Sequence, residues 1–224
     1  MSGLEVVTGP SIEPISRIEA REQLRLDDDI DDSQVRSYIT ASRIWAENYT
    51  GRALINTTFA QHLDGYVDNT PEPYWEGMKT GPSLIKNISE IEIAKAPVVS
   101  VTDVKYYKDD NTEHTWAASN YYVDIYGDVG KIVLRDNGTF PSDIRASNGI
   151  KVTFVAGYGT TPNSVPEPIR MAMMQYMSFM YEHRGDDEGR KISLSPIIPT
   201  LINPYKVTRF GATPYNKMIR SGIG

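Results

Sequence analysis

The sequence predicts an α+β fold: a small helical bundle built from N- and C-terminal helices, with an inserted antiparallel β-sandwich or barrel-like domain. Two observations carry this. Helical periodicity is confined to residues 16–50 and 165–184. Between them, residues 54–158 hold about six to eight short runs of β-branched and aromatic residues, separated by Gly, Asn, Asp and Pro. A third observation explains why the ends must meet. Two N-terminal helices alone cannot bury both their faces, and the helix near residue 170 is the natural third member.

Residues 1–15 read as an extended, Pro-punctuated lead-in. A first helix starts at Ser16, where "SRIE" has the form of a capping box between Ser16 and Glu19. Its expected buried positions are Ile18, Leu24 and Leu26. The acidic run Asp27–Asp32 ends it. A second helix is predicted from Ser33 to Thr50, with Val35, Tyr38, Ile39, Ser42, Ala46 and Tyr49 on one stripe of the 3.6-residue period. Gly51 is its expected stop. Strands follow from Leu54 onward, interrupted by the Pro- and Gly-rich loop 66–88 that carries Tyr74 and Trp75. The last strand runs into "AGYGTTPNS", and a helix is predicted from about Val165 to Arg184, opened by a Ser164–Glu167 capping box with Pro166 in the first turn. A short helix ending near Asn203 is expected before Pro204. The predicted organisation is therefore an N-terminal helical part (1–53), an inserted β-domain (54–160), a bundle helix (161–189) and an extended C-terminal arm (190–224).

Composition narrows the function. The 224 residues carry a net charge of −6 and no cysteine. Disulfides, thiolate metal sites and a Cys nucleophile are excluded. A groove that grips nucleic-acid phosphates usually needs a basic excess, which is not present here. The first residues lack the basic start and apolar segment of a signal peptide, and no apolar run is long enough to cross a membrane.

Candidate motifs dissolve on inspection. His62, His114 and His183 have no metal-ligand spacing. The acidic run 27–32 lacks the central Gly and the twelfth-position Glu of an EF-hand loop, and reads as a solvated turn. "GYGTT" fits neither a Walker loop nor a dinucleotide loop, so its glycines are expected to serve backbone geometry at a strand exit. No nucleophile signature is present. The reading is therefore not an enzyme, with no catalytic residue, cofactor or metal.

The helix after residue 165 is different. Five of the chain's eight methionines lie between Met171 and Met180. Ile169, Met173, Tyr176, Met177 and Met180 form one stripe, and Met171, Met174 and Phe179 widen it. So broad an apolar surface is either deeply buried or shared with another subunit, and Met suits adaptable contacts.

"LRLDDDIDDSQVRSYITASRIWAENYTGRALINTTF", "IEIAKAPVVSVTDVKYYKDD", "VTFVAGYGTTPNSVPEPIRMAMMQYMSFMYEHR" and "LINPYKVTRF" occur in that order. Together they resemble the successive blocks of the head–tail connector (adaptor) proteins of tailed bacteriophages. The resemblance covers about residues 4–210, while the 66–88 loop and the tail after Phe210 depart from it. It implies a structural virion protein that forms a dodecameric ring beneath the portal, extends the DNA channel and offers a docking surface to the stopper or tail. The implied partners are further copies of the chain, the portal protein and a stopper or tail-completion protein. DNA would pass through without sequence-specific binding, and no membrane is involved. The implied location is the virion neck, after synthesis in the host cytoplasm. On this reading the subunit interface is expected at Ile169, Met173, Tyr176, Met177, Met180 and Tyr181. A portal- or neighbour-facing arm is expected at Leu201, Pro204, Tyr205, Arg209 and Phe210. The alternative is a β-sandwich binding module that recognises a glycan or host surface through the aromatic loop 71–77.

Overall fold

The computed structural model describes residues 3–26, 32–64, 90–184 and 194–207. Readings placed on the acidic turn 27–31, the loop 66–88, Arg209, Phe210 and the tail lie outside the described residues.

Among the described residues, eight strands form two antiparallel sheets. The larger contains β1 (Gly3–Thr8), β2 (Thr57–Leu63), β8 (Ile150–Ala156), β4 (Val98–Tyr107) and β5 (Glu113–Thr115), in that spatial order. The smaller contains β3 (Glu90–Glu92), β7 (Lys131–Leu134) and β6 (Tyr121–Asp124). Alternation decides the faces. In β8, Ile150, Val152, Phe154 and Ala156 are buried, and the residues between them are not. Phe154 stacks on Phe59 of β2, its register partner, with ring centroids 5.6 Å apart. The smaller sheet closes the same core with Ile91, Ile132 and Tyr121. One buried polar side chain crosses from sheet to sheet. The amide of Gln61 donates to the Glu92 carbonyl at 3.0 Å and accepts from the Ala94 N–H at 2.9 Å, so it is satisfied at both ends. Among the described residues β1 and β5 form the edges of the larger sheet, and the two sheets make a sandwich-like pair.

Among the described residues, four helices make the second layer: α1 (Arg17–Leu24), α2 (Asp32–Thr50), α3 (Glu167–Glu182) and α4 (Ile197–Ile202). The capping box of α1 is present, with the Glu19 N–H donating to Ser16 Oγ at 3.2 Å and the Ser16 N–H donating to Glu19 Oε2 at 2.8 Å. Along the predicted stripe of α2, Val35, Ile39, Ser42 and Ala46 are buried, and Tyr38 and Tyr49 pack at its margins. Gly51 ends the helix with φ +73. Helical and β cores are distinct clusters, joined where α2 runs into β2: the Ala53 N–H donates to the Ala96 carbonyl at 2.8 Å, and the Tyr158 N–H to the Leu54 carbonyl at 3.1 Å.

The lead-in is extended as expected, and it holds a strand, β1, paired with β2 yet exposed at every position. Three local expectations are corrected. Ile18 is 70% exposed, because the inner face of α1 is set by Ala20 and Leu24, and a residue two before Ala20 points away from it. Helix α3 starts at Glu167, and the Ser164–Glu167 box does not form. Pro166 forces Val165 into extended backbone, with φ −78 and ψ 131, so Ser164 is severed from the helix. Ser164 instead sits in a 3₁₀ turn, its hydroxyl 2.8 Å from that of Thr161. The last is the arm: the short helix expected before Pro204 is present as α4, but residues 194–207 are not an extended arm, since they fold back through α4 and a 3₁₀ turn at Asn203–Tyr205.

The "GYG" exit from β8 has a steric cause. Gly157 has φ +150, and a Cβ there would lie 2.5 Å from the backbone nitrogen of Asn56. The strand leaves the sheet by crossing closely over the α2–β2 junction. Gly157→Ala is expected to destabilise the chain by about 1–3 kcal/mol in urea denaturation. Gly9→Ala, with nothing within 4 Å of the added Cβ, is expected to leave the midpoint unchanged.

Candidate functional site

For a protein read as an assembly subunit, the site is the surface left over once the chain has packed on itself. The Met-rich helix is mostly used up in that packing. Ile169, Met173 and Met177 are 0% exposed, enclosed with Leu54, Ile55, Ile198 and Ile202. Tyr176 stacks on Trp45 of α2 at 4.3 Å, and Tyr181 meets Tyr38 edge-on at 6.2 Å. Tyr176, Met180 and Tyr181 keep partial exposure at the margin of the same cluster. The six expected interface residues therefore divide. Three are interior to their own chain, because α1, α2 and α4 all pack against α3 and cover the centre of its stripe. Only the other three retain surface for a neighbour. Outside the stripe, Met171 is 45% exposed.

The C-terminal candidates are likewise tied to their own chain. Ile198 and Ile202 of α4 are buried in the helical core, and Leu201 and Tyr205 pack against it. Arg52 Nε donates to the Tyr205 carbonyl at 2.6 Å, and the Tyr49 hydroxyl donates to Asn203 Oδ1 at 2.7 Å. The Val207 N–H donates to the Thr50 carbonyl at 2.8 Å. Pro204 is exposed among these anchored neighbours.

Two arginines that the sequence reading passed over hold the helical layer together. Arg170, only 8% exposed, donates to the Pro14 carbonyl at 3.1 Å, to Glu167 at 2.7 Å, and to the Glu19 carboxylate. Arg43 donates to Glu13 at 2.7 Å and to Glu47 at 3.1 Å, while the other Glu47 oxygen accepts the Leu54 N–H at 3.1 Å. Burial works to raise the Glu19 pKa. The hydrogen bonds from the Ser16 backbone and hydroxyl, with the nearby Arg170 charge, outweigh it and hold the carboxyl below its ordinary value.

The exposed surface carries several large apolar side chains. They include Leu4, Val6 and Val7 on β1, Ile18 on α1 and Ile125 and Tyr126 at the β6–β7 turn. Tyr126 is 96% exposed. An open groove of about 500 Å³ runs along α1, lined by Ile18, Arg21, Glu22, Arg25 and Leu26. Among the described residues, no group of three or more His, Asp or Glu is placed to hold a metal ion. No described helix is long and apolar enough to cross a membrane.

Met177→Ala is expected to cost about 2–5 kcal/mol, and Met177→Asp to prevent folding, as read by circular dichroism and denaturation. Met171→Asp, at an exposed site, is expected to fold normally. A lowered carboxyl pKa in the folded state means that the stabilisation is present above the unfolded value and is lost as pH falls through the folded one. Between neutral pH and about 4.5, the ordinary value for Glu19, its contribution holds, and below that it fades. Arg170→Met is expected to lower stability at neutral pH and to flatten the stability-against-pH curve in that acid window.

Comparison with known proteins agrees with this picture at two levels. Residues 18–87 match the family model of phage gp6-like head-tail connector proteins. Among curated proteins there is no match. Solved structures match in fold over nearly the whole chain. One is a chain of the neck of an empty gene transfer agent (GTA) particle computed with C6 symmetry, with TM-score 0.69 and 20% identity, covering 92% of this chain and 96% of that one. Another comes from the virion of the native GTA particle, with TM-score 0.69, 21% identity and the same coverage. A third comes from the neck of the native particle computed with C12 symmetry, with TM-score 0.64, 20% identity and the same coverage. The resemblance read from the sequence is thus borne out: this chain is similar to the head–tail connector proteins in sequence across residues 18–87, and its fold is that of chains found in GTA particles.

Proposed function

We propose that the chain is a structural connector subunit. It forms a ring in the neck of a phage-like particle, continues the DNA channel below the portal and presents a docking surface to the stopper or tail. The observation that carries this is the agreement between two separate likenesses. A connector-family match on residues 18–87 coincides with a fold likeness to neck chains that extends over both core clusters. The symmetric necks of those particles, computed with C6 and C12 symmetry, favour a ring over a single copy. The net charge of −6 fits as well, because an acidic channel wall lets DNA slide where a basic one would hold it. The chain's role is mechanical rather than catalytic.

The glycan-binding alternative rested on Tyr74 and Trp75, which lie outside the described residues, and neither the family match nor the fold favours it. Electron microscopy of the purified chain, alone and mixed with its portal, is expected to show rings with a central channel. A chain that joins neither rings nor particles under any of these conditions overturns the proposal.

A further inference from the structure

We infer that Asn148 is a self-modifying site: its side-chain amide is lost as ammonia through attack by the backbone nitrogen of Gly149, and the fold directs this reaction to Asn148 rather than to Asn137. The sequence holds two Asn-Gly pairs, Asn137–Gly138 and Asn148–Gly149. Asparagine is thermolabile, and a glycine after it leaves the next nitrogen unshielded by a Cβ. As sequence the two pairs are equivalent. Their surroundings separate them.

The reaction needs a free asparagine side chain and a free N–H on the following residue. Both asparagines are exposed. The N–H groups differ. The Gly138 N–H donates to the Arg135 carbonyl at 2.8 Å and closes a turn. Gly138 also lies so close to the Asn120 carbonyl that a Cβ there would collide with it. The Asn137–Gly138 peptide is therefore held, and its nitrogen is occupied. The Gly149 N–H has no acceptor among the described residues. Peptide N–H groups in that condition are uncommon in folded chains. The Cγ of Asn148 is the electrophile within covalent reach of it.

The groups around Asn148 favour the attack. Arg145 donates to the Asn148 carbonyl from Nη2 at 2.9 Å and from Nε at 3.3 Å. That carbonyl and the Gly149 N–H belong to one peptide group. A guanidinium on the oxygen stabilises the negative charge that spreads onto it when the nitrogen gives up its proton. Arg145 is itself held by Asn111 Oδ1 at 2.9 Å and by the Tyr107 ring, whose centroid is 4.6 Å away. The Asn148 N–H donates to Asp64 Oδ1 at 3.1 Å. All these bonds to Asn148 go to its backbone, so its side-chain amide is free to turn toward Gly149.

The steps balance with water as the only co-reactant. The Gly149 nitrogen loses its proton to water and bonds to Asn148 Cγ. The Cγ–Nδ2 bond breaks, ammonia leaves and a cyclic imide remains. Water then opens the ring. Opening at Cγ leaves aspartate, and opening at the main-chain carbonyl leaves isoaspartate. Either product adds a carboxylate at the residue that Asp64 already holds. Isoaspartate also lengthens the backbone directly before β8, whose first residue, Ile150, is buried and pairs with Leu63 and Tyr106. The chemistry is independent of ring assembly.

Peptide mapping by mass spectrometry tests this on the full-length chain, aged in mildly alkaline buffer both folded and in urea. In urea the two Asn-Gly pairs are expected to convert at similar rates. In the folded chain Asn148 is expected to convert on the order of 10-fold faster than Asn137, a ratio that one shielding hydrogen bond and one charge-assisted bond can supply. Arg145→Met is expected to keep its circular dichroism and to lower that ratio. A folded ratio near one, or a reversed ratio, overturns the inference. So does a folded chain in which neither site converts while the unfolded chain converts both. If Arg145→Met leaves the ratio unchanged, the role given to the guanidinium is overturned, and the shielding of Gly138 alone separates the two sites.

Discussion

The helical layer depends on a buried guanidinium. Arg170 reaches out of α3 to Glu19, whose carboxylate also caps α1, and to the carbonyl of Pro14, in the segment that leads into α1. A charge this deep is tolerated only when each donor finds an acceptor, and removing one partner strands the other. The arrangement therefore works as an all-or-none clamp. It fixes where α1 begins and how that helix lies on α3. Arg43 repeats the device from α2 and pins Glu13, one residue before Pro14. Between the two arginines the chain has little choice of path, and Ile15 is carried into the core beside them.

The same economy governs the junction between layers. Glu47 is shared between Arg43 and the Leu54 N–H, so the ion pair that fixes the lead-in also fixes the first residues after α2. Gly157 lets β8 pass close over Asn56, and the amide of Gln61 ties the large sheet to the small one. The two hydrophobic clusters are separate, yet the polar bonds at their boundary fix how each meets the other.

Much of this was legible in the sequence where a local rule operates. Ser16–Glu19, the α2 stripe, Gly51 and the glycines after β8 each follow from caps, periodicity or backbone sterics within a few residues. What was not legible depends on distant partners. Arg170 interrupts an apolar stripe and reads as a surface residue, and nothing near it in sequence announces Pro14 or Glu19. The methionine stripe was correctly seen as apolar, but whether α4 or a neighbouring copy covers it is a tertiary fact. The short helix before Pro204 was expected, but six residues carry too little periodicity to show that Ile198 and Ile202 enter the core. Ser164 failed for the opposite reason. The capping pattern was present, and the restriction that Pro166 places on Val165 overrode it.

The return of the C-terminal segment to Thr50 has a mechanical consequence. Val207, Tyr205 and Asn203 are bonded to Thr50, Arg52 and Tyr49, three residues within the span where α2 hands over to the β-layer. A force that enters the chain beyond Val207 is thus delivered to the seam between its two cores, not to either core alone. It is met first by several hydrogen bonds loaded together, with the buried side chains of α4 behind them. A part built this way bears tension as a riveted lap joint does, by spreading it over a seam before either plate is asked to yield.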